Sequence, residues 1–186
     1  DLDKLERASL ELVKESVNTQ EFLGELESIM ELLATEKGLK FTLNIVGSLP
    51  TYIDADATRL RQVLWNLLSN GMKFTPEGGV SLTVEPISTD NCMTRLKFIV
   101  EDSGIGIPAH ELDKIFAMYY RVRRDDHKIA VGTGIGLSIS SRIIESMGGK
   151  IDVSSQVGKG SVFTIDVPFV IPQMPVKPVI ATVSGL

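Results

Sequence analysis

Three polar side chains follow one another along a segment of the sequence that is otherwise typical of an amphipathic helix. Asn66, Asn70 and Lys73 are spaced by four and three residues, so a helix would place them on one side. Amide oxygens suit Mg²⁺, which keeps much of its water and takes few protein ligands. The row could therefore hold a hydrated Mg²⁺ and a phosphate chain, although a solvated helix face carries a similar pattern.

The helix that presents this row is predicted over residues 57–74. The apolar positions that recur on its other face are Leu60, Val63, Leu64, Leu67 and Gly71. Gly71 is unexpected there, because glycine costs roughly 1 kcal/mol relative to alanine inside a helix. Close packing against a neighbour and a loosened helix end are both compatible with it.

A glycine-rich turn, "DSGIGIP" over residues 102–108, follows a predicted strand. Its carboxylate, Asp102, could accept a hydrogen bond from an exocyclic amine such as N6 of adenine. Gly104 and Gly106 would let a ligand approach the backbone closely. A tight turn capped by an aspartate is an equally good interpretation of this segment alone.

A second glycine-rich segment, "VGTGIGLSIS", has glycines at positions 132, 134 and 136, before a predicted helix over 137–147. Free N–H groups at a helix start can bind an anion. The G-x-G-x-G spacing is not the dinucleotide fingerprint, and "VGKGS" over 157–161 lacks the P-loop spacing. The segment is therefore a candidate phosphate site of another type.

The composition excludes several other classes of protein. The 186 residues fit one domain, and a net charge of −5 gives no support for general nucleic-acid binding. The single cysteine, Cys92, cannot form an internal disulfide, and no Cys/His cluster has metal-ligand spacing. His110 is interpreted as an ordinary surface residue, and no apolar run is long enough to span a bilayer.

Hydrophobic periodicity predicts the remaining elements. Helices are predicted over 1–17, 19–37 with Thr19 as its cap, 57–74, 109–116 and 137–147, and strands over 39–46, 51–56, 80–85, 96–101, 150–155 and 161–169. Residues 117–133 are predicted as a loop. This order favours an α+β fold, a two-layer sandwich with helices on one face of a mixed β-sheet.

Five segments taken together identify a family. "RLRQVLWNLLSNGMKFTPEGG", "VEDSGIGIP", "KIFAMYYRV", "GTGIGLSIS" and "GKGSVFTIDVP" resemble, in order, the N, G1, F, G2 and G3 boxes of sensor histidine kinase catalytic domains. The resemblance covers about residues 19–168. It implies the Bergerat-type ATP-binding fold, which is shared with gyrase and chaperone ATPases, and ATP and Mg²⁺ as cofactors.

The resemblance also implies roles for residues around the phosphates. Asn70 corresponds to the Mg²⁺ ligand, Asn66 to a position near the metal and phosphates, and Lys73 to a phosphate contact; these three are the implied catalytic residues. Arg121 is a further phosphate contact. The residues that correspond to the phosphate cradle are Gly132, Thr133, Gly134, Gly136 and Leu137.

Around the base, the resemblance assigns Asp102 to N6 of adenine and Ser161 to a hydroxyl that reaches adenine through water. The residues that would wall the base pocket are Gly104, Gly106 and Ile107. Phe74 should pack beside the nucleotide. Phe116 and Tyr119 match two aromatic anchors, for which core packing is at least as good an interpretation.

Two departures from the family pattern point to one subgroup of the family. Most relatives have alanine where Gly71 stands, and the F box reads "FAMYYR". This variant, with "DLDKLER", resembles the hybrid sensor kinases of aerobic respiration control. Residues 1–17 are therefore predicted to end a dimerisation and phosphoacceptor helix, 18–169 to form the catalytic domain, and 170–186 to be a linker.

The same resemblance implies a setting for the parent protein. It would be a homodimer anchored in the bacterial inner membrane, with this domain on the cytoplasmic side and monomeric when isolated. Its partners would be its own phosphoacceptor domain, receiver and phosphotransfer domains and, indirectly, a response regulator, with no direct contact to nucleic acid or membrane.

The implied reaction is transfer of the ATP γ-phosphate to a histidine on a separate domain. One alternative is a hydrolytic ATPase clamp, but such enzymes have glutamate at the position of Asn66, and asparagine cannot take a proton from water. A second alternative is a non-catalytic module that binds nucleotide or partners.

Overall fold

The computed structural model describes residues 11–117 and 136–173. In this part of the chain, helices α1 to α3 pack on one face of a seven-stranded mixed sheet, which confirms the predicted fold class. The helices are α1 (Thr19–Glu36), α2 (Ala57–Lys73) and α3 (Gly136–Ser146), with a 3₁₀ turn at Ala109–Glu111. The strands are β1 (Glu15–Asn18), β2 (Lys40–Ile45), β3 (Tyr52–Ala55), β4 (Gly79–Thr89), β5 (Met93–Asp102), β6 (Lys150–Gln156) and β7 (Gly160–Val170).

The sheet has the strand order β1-β3-β7-β5-β4-β2, and β6 also pairs with β7. The β2–β4 pair is parallel and the other pairs are antiparallel. Strand β5 lies between two long neighbours, and its last residue, Asp102, is in register with Ser161 of β7 and Val80 of β4. The end of the central strand therefore brings these three positions together.

Alternation along β5 decides which side chains face the helices. Leu96, Phe98 and Val100 are buried at every second position, while the residues between them are more exposed. Helix α2 contributes the matching apolar stripe, and its predicted members are all buried. Because strand side chains alternate with a period of two, the same buried face ends on the carboxylate of Asp102.

The predicted helix over residues 1–17 is wrong for residues 11–17. Residues 11–14 have no regular structure, and β1 pairs antiparallel with β3, with Val17 opposite Ile53. Val17 is buried, so pairing and burial override the local helical pattern. Residues 1–10 lie outside the described part. The cap of α1 is also corrected: Asn18, rather than Thr19, accepts from the backbone N–H of Glu21.

Two further elements differ from the sequence predictions. The predicted helix over 109–116 is a 3₁₀ turn of three residues followed by turns. Strands β4 and β5 extend into the predicted polar loop, because Asp90 accepts from the backbone N–H groups of Cys92 and Met93 and closes a tight turn. None of the helices within 11–117 and 136–173 is long and apolar enough to cross a membrane.

Candidate functional site

The polar row of α2 lies at the border of the buried helix face. Asn66 and Asn70 are half-buried and Lys73 is exposed. The side-chain amide of Asn70 makes no hydrogen bond to any residue that the structure describes. The Lys73 ammonium lies 5.6 Å from the centre of the Phe74 ring, which places a cation at the end of the row.

Asn66 has a contact that sequence analysis did not anticipate. Its Nδ2 donates to Oγ of the buried Ser140 over 3.1 Å. A Cβ atom at Gly136 would collide with the Asn66 amide, so the glycine lets the first turn of α3 lie directly against α2. The hydrogen bond between Asn66 and Ser140 and the close contact at Gly136 therefore hold the start of α3 beside the polar row.

Asp102 is nearly buried at the end of β5, with 9% of its surface exposed. Its Oδ1 accepts from the backbone N–H of Gly104 at 2.9 Å and of Ser161 at 3.3 Å. Burial raises the pKa of Asp102 above its usual 3.8, while these two hydrogen bonds oppose the rise. No described residue donates to Oδ2, which leaves that oxygen available to a ligand.

The glycine-rich turn after Asp102 is held from two sides. The N–H of Ile105 donates to the carbonyl of Phe74 at the end of α2, over 3.1 Å. The carbonyl of Ile105 accepts from Gly158 in the β6–β7 turn, over 2.8 Å. The turn thus spans from α2 to the hairpin and forms one wall of the site.

Close approach explains both glycines of this turn. A Cβ at Gly104 would lie 2.8 Å from Oγ1 of Thr75 and 2.9 Å from Oδ1 of Asp102. Gly106 has a φ of +73° and faces the backbone of Gln156 without room for a side chain. Both positions therefore exclude other residues for steric reasons.

A network of hydroxyl groups joins this turn to β7. Ser155 of β6 lies within hydrogen-bond distance of the N–H of Ile107, the carbonyl of Gly160 and Oγ of Ser161. Sequence reasoning named Ser161 and Ile107 but missed Ser155. The available signal was a serine on the inward side of β6, at the alternation set by Ile151 and Val153.

Gly71 packs closely rather than loosening α2. A Cβ there would lie 3.3 Å from a methyl group of Val80 and 3.5 Å from Cβ of Asp102. The helix continues to Lys73, and its carbonyl at Gly71 accepts from the Thr75 hydroxyl. Of the two explanations left open by the sequence, the structure supports close packing.

The remaining candidates divide between core contacts and the part of the chain that is not described. Phe116 meets Phe163 edge-on, with ring centres 6.4 Å apart, and Ile107 and Leu137 pack against the core. The side chain of His110 is exposed, as predicted. The candidates outside the described residues are Tyr119, Arg121, Gly132, Thr133 and Gly134.

The donor set fits Mg²⁺ better than a transition metal. Among residues 11–117 and 136–173, no group of three His, Cys, Asp or Glu side chains could hold a metal ion. Asn70 offers one amide oxygen with no competing partner, which is enough for an ion that completes its shell with water and phosphate.

A family model and individual relatives both match this chain, and they point to the same family. The family model described as histidine kinase-, DNA gyrase B- and HSP90-like ATPase matches residues 55–171. The aerobic respiration control sensor protein ArcB of Escherichia coli is 50% identical over 90% of this chain. Hybrid signal transduction histidine kinase B of Dictyostelium discoideum is 36% identical over 92% of it. The chain spans 21% and 9% of these two proteins.

Solved structures agree with this result. Full-length ShkA in complex with AMPPNP has a TM-score of 0.76 at 35% identity, over 93% of this chain and 35% of that one. The nucleotide-free catalytic domain of histidine kinase ThkA has a TM-score of 0.66 at 28% identity, over 84% of this chain and 96% of that one.

Proposed function

The chain belongs to the family of histidine kinase-, DNA gyrase B- and HSP90-like ATPases and is a catalytic domain of the sensor histidine kinase type. We propose that it binds Mg·ATP at the site described above and transfers the γ-phosphate to a histidine on a separate phosphoacceptor domain. The observation that carries the proposal is the nearly buried Asp102, with one carboxylate oxygen held by backbone N–H groups and the other free of described donors.

The base would lie against Asp102. An amino group can donate to the free Oδ2, while Ser161 and the turn at Gly104 line the same end of the sheet. Fixing Oδ1 with two backbone N–H groups holds the carboxylate plane in place before a ligand arrives. The binding energy is therefore not spent on orienting this side chain.

The phosphates would extend from the base toward the α2 row and the start of α3. Asn70 would supply an oxygen to Mg²⁺, and Lys73 would supply positive charge. The first turn of α3 is docked on Asn66 through Gly136 and Ser140, and the N-terminus of a helix favours an anion. The bound Mg²⁺ would neutralise charge on the phosphate oxygens.

The proposed step needs position and charge neutralisation more than a strong base. Asn66 cannot accept a proton, so this row has no group that would activate water for hydrolysis. That residue favours transfer to a histidine over the alternative of a hydrolytic ATPase clamp.

Two substitutions test the binding site. Asn70→Asp puts a negative charge beside the phosphates, and Asp102→Asn replaces a carboxylate with a weaker acceptor. Each should weaken Mg·ATP binding by about tenfold or more, measured by calorimetric titration. Asn44→Asp and Asp113→Asn make the same chemical changes at exposed positions and should leave the affinity unchanged. Unchanged affinity in both site variants would contradict the assignment.

A second experiment separates the three candidate functions. The chain is mixed with γ-labelled ATP and a separately produced phosphoacceptor domain. Label on the acceptor histidine supports the kinase, whereas free phosphate without labelled acceptor supports the hydrolytic alternative. Nucleotide binding without either product supports a non-catalytic module.

The domain organisation and location of the whole protein are also proposals, because the chain spans only part of the length of its relatives. By similarity to ArcB and the Dictyostelium hybrid kinase, we propose a membrane-anchored, homodimeric parent with phosphoacceptor, receiver and phosphotransfer domains. The catalytic domain would lie on the cytoplasmic side of the bacterial inner membrane. A response regulator would be the indirect recipient of the phosphoryl group.

A further inference from the structure

Ser155 has three polar contacts, and two of them have a fixed direction. The backbone N–H of Ile107, 2.7 Å away, can only donate to the hydroxyl. The carbonyl of Gly160, 3.0 Å away, can only accept from it. The third contact, to the hydroxyl of Ser161 at 2.7 Å, could run either way if it stood alone.

Only one arrangement of protons makes all three contacts hydrogen bonds. A serine hydroxyl has one proton and two lone pairs. If that proton goes to Gly160, one lone pair receives the N–H of Ile107 and the other must receive the hydroxyl proton of Ser161. Ser155 is then fully satisfied, and the proton of Ser161 is committed to Ser155.

This arrangement of protons determines what the Ser161 hydroxyl can offer to a ligand. With its proton turned toward Ser155, the Ser161 oxygen can only accept a hydrogen bond. Asp102 lies directly opposite Ser161 in the sheet register and presents an unpartnered carboxylate oxygen. This end of the sheet therefore offers acceptors and no side-chain donor from the pair.

We propose that Ser155 is a positioning residue that sets base specificity by forcing Ser161 to act as an acceptor. The inference rests on the proposed nucleotide site. In the proposed pose the group at C6 of the purine, and not N1, points between Asp102 and Ser161. A 6-amino group presents N–H donors to these two acceptors, whereas a 6-oxo group presents a carbonyl oxygen that finds no donor from the pair. At C6 the site therefore favours adenine over hypoxanthine or guanine.

A bridging water does not weaken this selection. A water that donates one hydrogen to Ser161 and the other to Asp102 has only lone pairs left. Such a water accepts from a 6-amino group and cannot donate to a 6-oxo group. At C6, direct and water-mediated contacts thus discriminate in the same sense.

Ser155→Ala tests the proposal, because it frees the Ser161 hydroxyl to rotate and donate. The readout is the affinity ratio for Mg·ATP over Mg·ITP, with the triphosphate of unsubstituted purine riboside as a third probe. The wild-type ratio should fall by about tenfold in the variant. Loosening of the turn at Ile107 would weaken all three probes equally and cancel in the ratio.

Three further variants sharpen the result. Ser154→Ala changes the exposed neighbour on the same strand and should keep the wild-type ratio. Ser155→Thr retains a hydroxyl and should restore most of the ratio. In a Ser161→Ala background, adding Ser155→Ala should cause no further change, because the hydroxyl that Ser155 orients is gone.

The outcomes separate this inference from the proposed function. If wild-type protein does not bind ATP, the proposed function fails. If it binds ATP but Ser155→Ala lowers the affinity for ATP, ITP and the purine triphosphate by one common factor, Ser155 is only structural and the inference is overturned. A fall in the ATP/ITP ratio that Ser155→Thr reverses supports it.

Discussion

The charged form of Asp102 is unfavourable for folding stability but suited to binding a ligand donor. Burial disfavours its charged form, while two backbone N–H groups hold one oxygen and favour that form. A carboxylate kept in such a place costs folding stability at neutral pH. Its retention is understandable if the free oxygen binds a donor on the ligand.

The raised pKa of Asp102 predicts a pH dependence of folding. The folded protein holds a proton at pH values where the unfolded chain, with a pKa near 3.8, has lost it. Stability therefore falls as pH rises from about 3.8 through the folded pKa, and then becomes constant. Asp102→Asn removes this titrating group. The wild type should therefore lose free energy of unfolding relative to the variant as the pH rises through that window.

Denaturant titrations of both proteins at a series of pH values measure this difference. Asp113→Asn makes the same chemical change at an exposed position and serves as the control. A difference that rises with pH would mean that the folded pKa lies below the unfolded value, contrary to the prediction.

Gly71 and Gly24 offer a matched pair for the cost of glycine in a helix. A Cβ at Gly24 meets nothing within 4 Å, so Gly24→Ala should stabilise the protein by about 1 kcal/mol. At Gly71 the new methyl must move Val80 by a few tenths of an ångström. Gly71→Ala should therefore gain only about half as much, measured by urea unfolding. A larger gain at Gly71 than at Gly24 would disprove the packing argument.

At the scale of elements, the decisive junction is the one between α2 and α3. Asn66 reaches Ser140 across it, and Gly136 allows the close approach. This contact fixes where the first turn of α3 lies relative to Asn70. The proposed phosphate binding by the start of α3 would therefore depend on a hydrogen bond between two helices that are far apart in sequence.

Ser140→Ala tests this junction. Loss of the acceptor leaves the Asn66 amide unpaired, so the free energy of unfolding should fall by about 1–2 kcal/mol and Mg·ATP affinity should fall several-fold. Ser146→Ala, on the exposed end of the same helix, should change stability by less than about 0.5 kcal/mol and leave affinity intact. Equal effects of the two variants would show that the junction does not position α3.

At the scale of the whole molecule, β1 adds a strand to the sheet where the local sequence pattern predicts a helix. It forms one end of the strand order beside β3, and Val17 is 8% exposed. The N–H of Val13 also donates to Asp56, the side chain that caps α2. The segment before α1 is thereby tied to both layers of the fold.

Val17→Ala should lower the free energy of unfolding by about 2 kcal/mol, because it removes buried methyl groups from the core. Val13→Ala makes the same change at a side chain that is 76% exposed, and should cost less than about 0.5 kcal/mol. Guanidinium unfolding of both variants provides the measurement. Equally small losses at the two positions would contradict packing of β1 in the core.

The sequence alone determined the apolar stripe of α2, the alternation of β5 and β7, the polar row and the glycine-rich turns, because these follow from local periodicity and local backbone geometry. It also contained the ordered motifs that identify the family. Tertiary structure decided what depends on residues far apart in the chain. Val17 became strand because β3 was available to pair with it, and Gly71 was explained only by Val80 and Asp102. The proposed direction of the Ser161 hydroxyl likewise rests on Ser155, whose donor and acceptor come from two different segments.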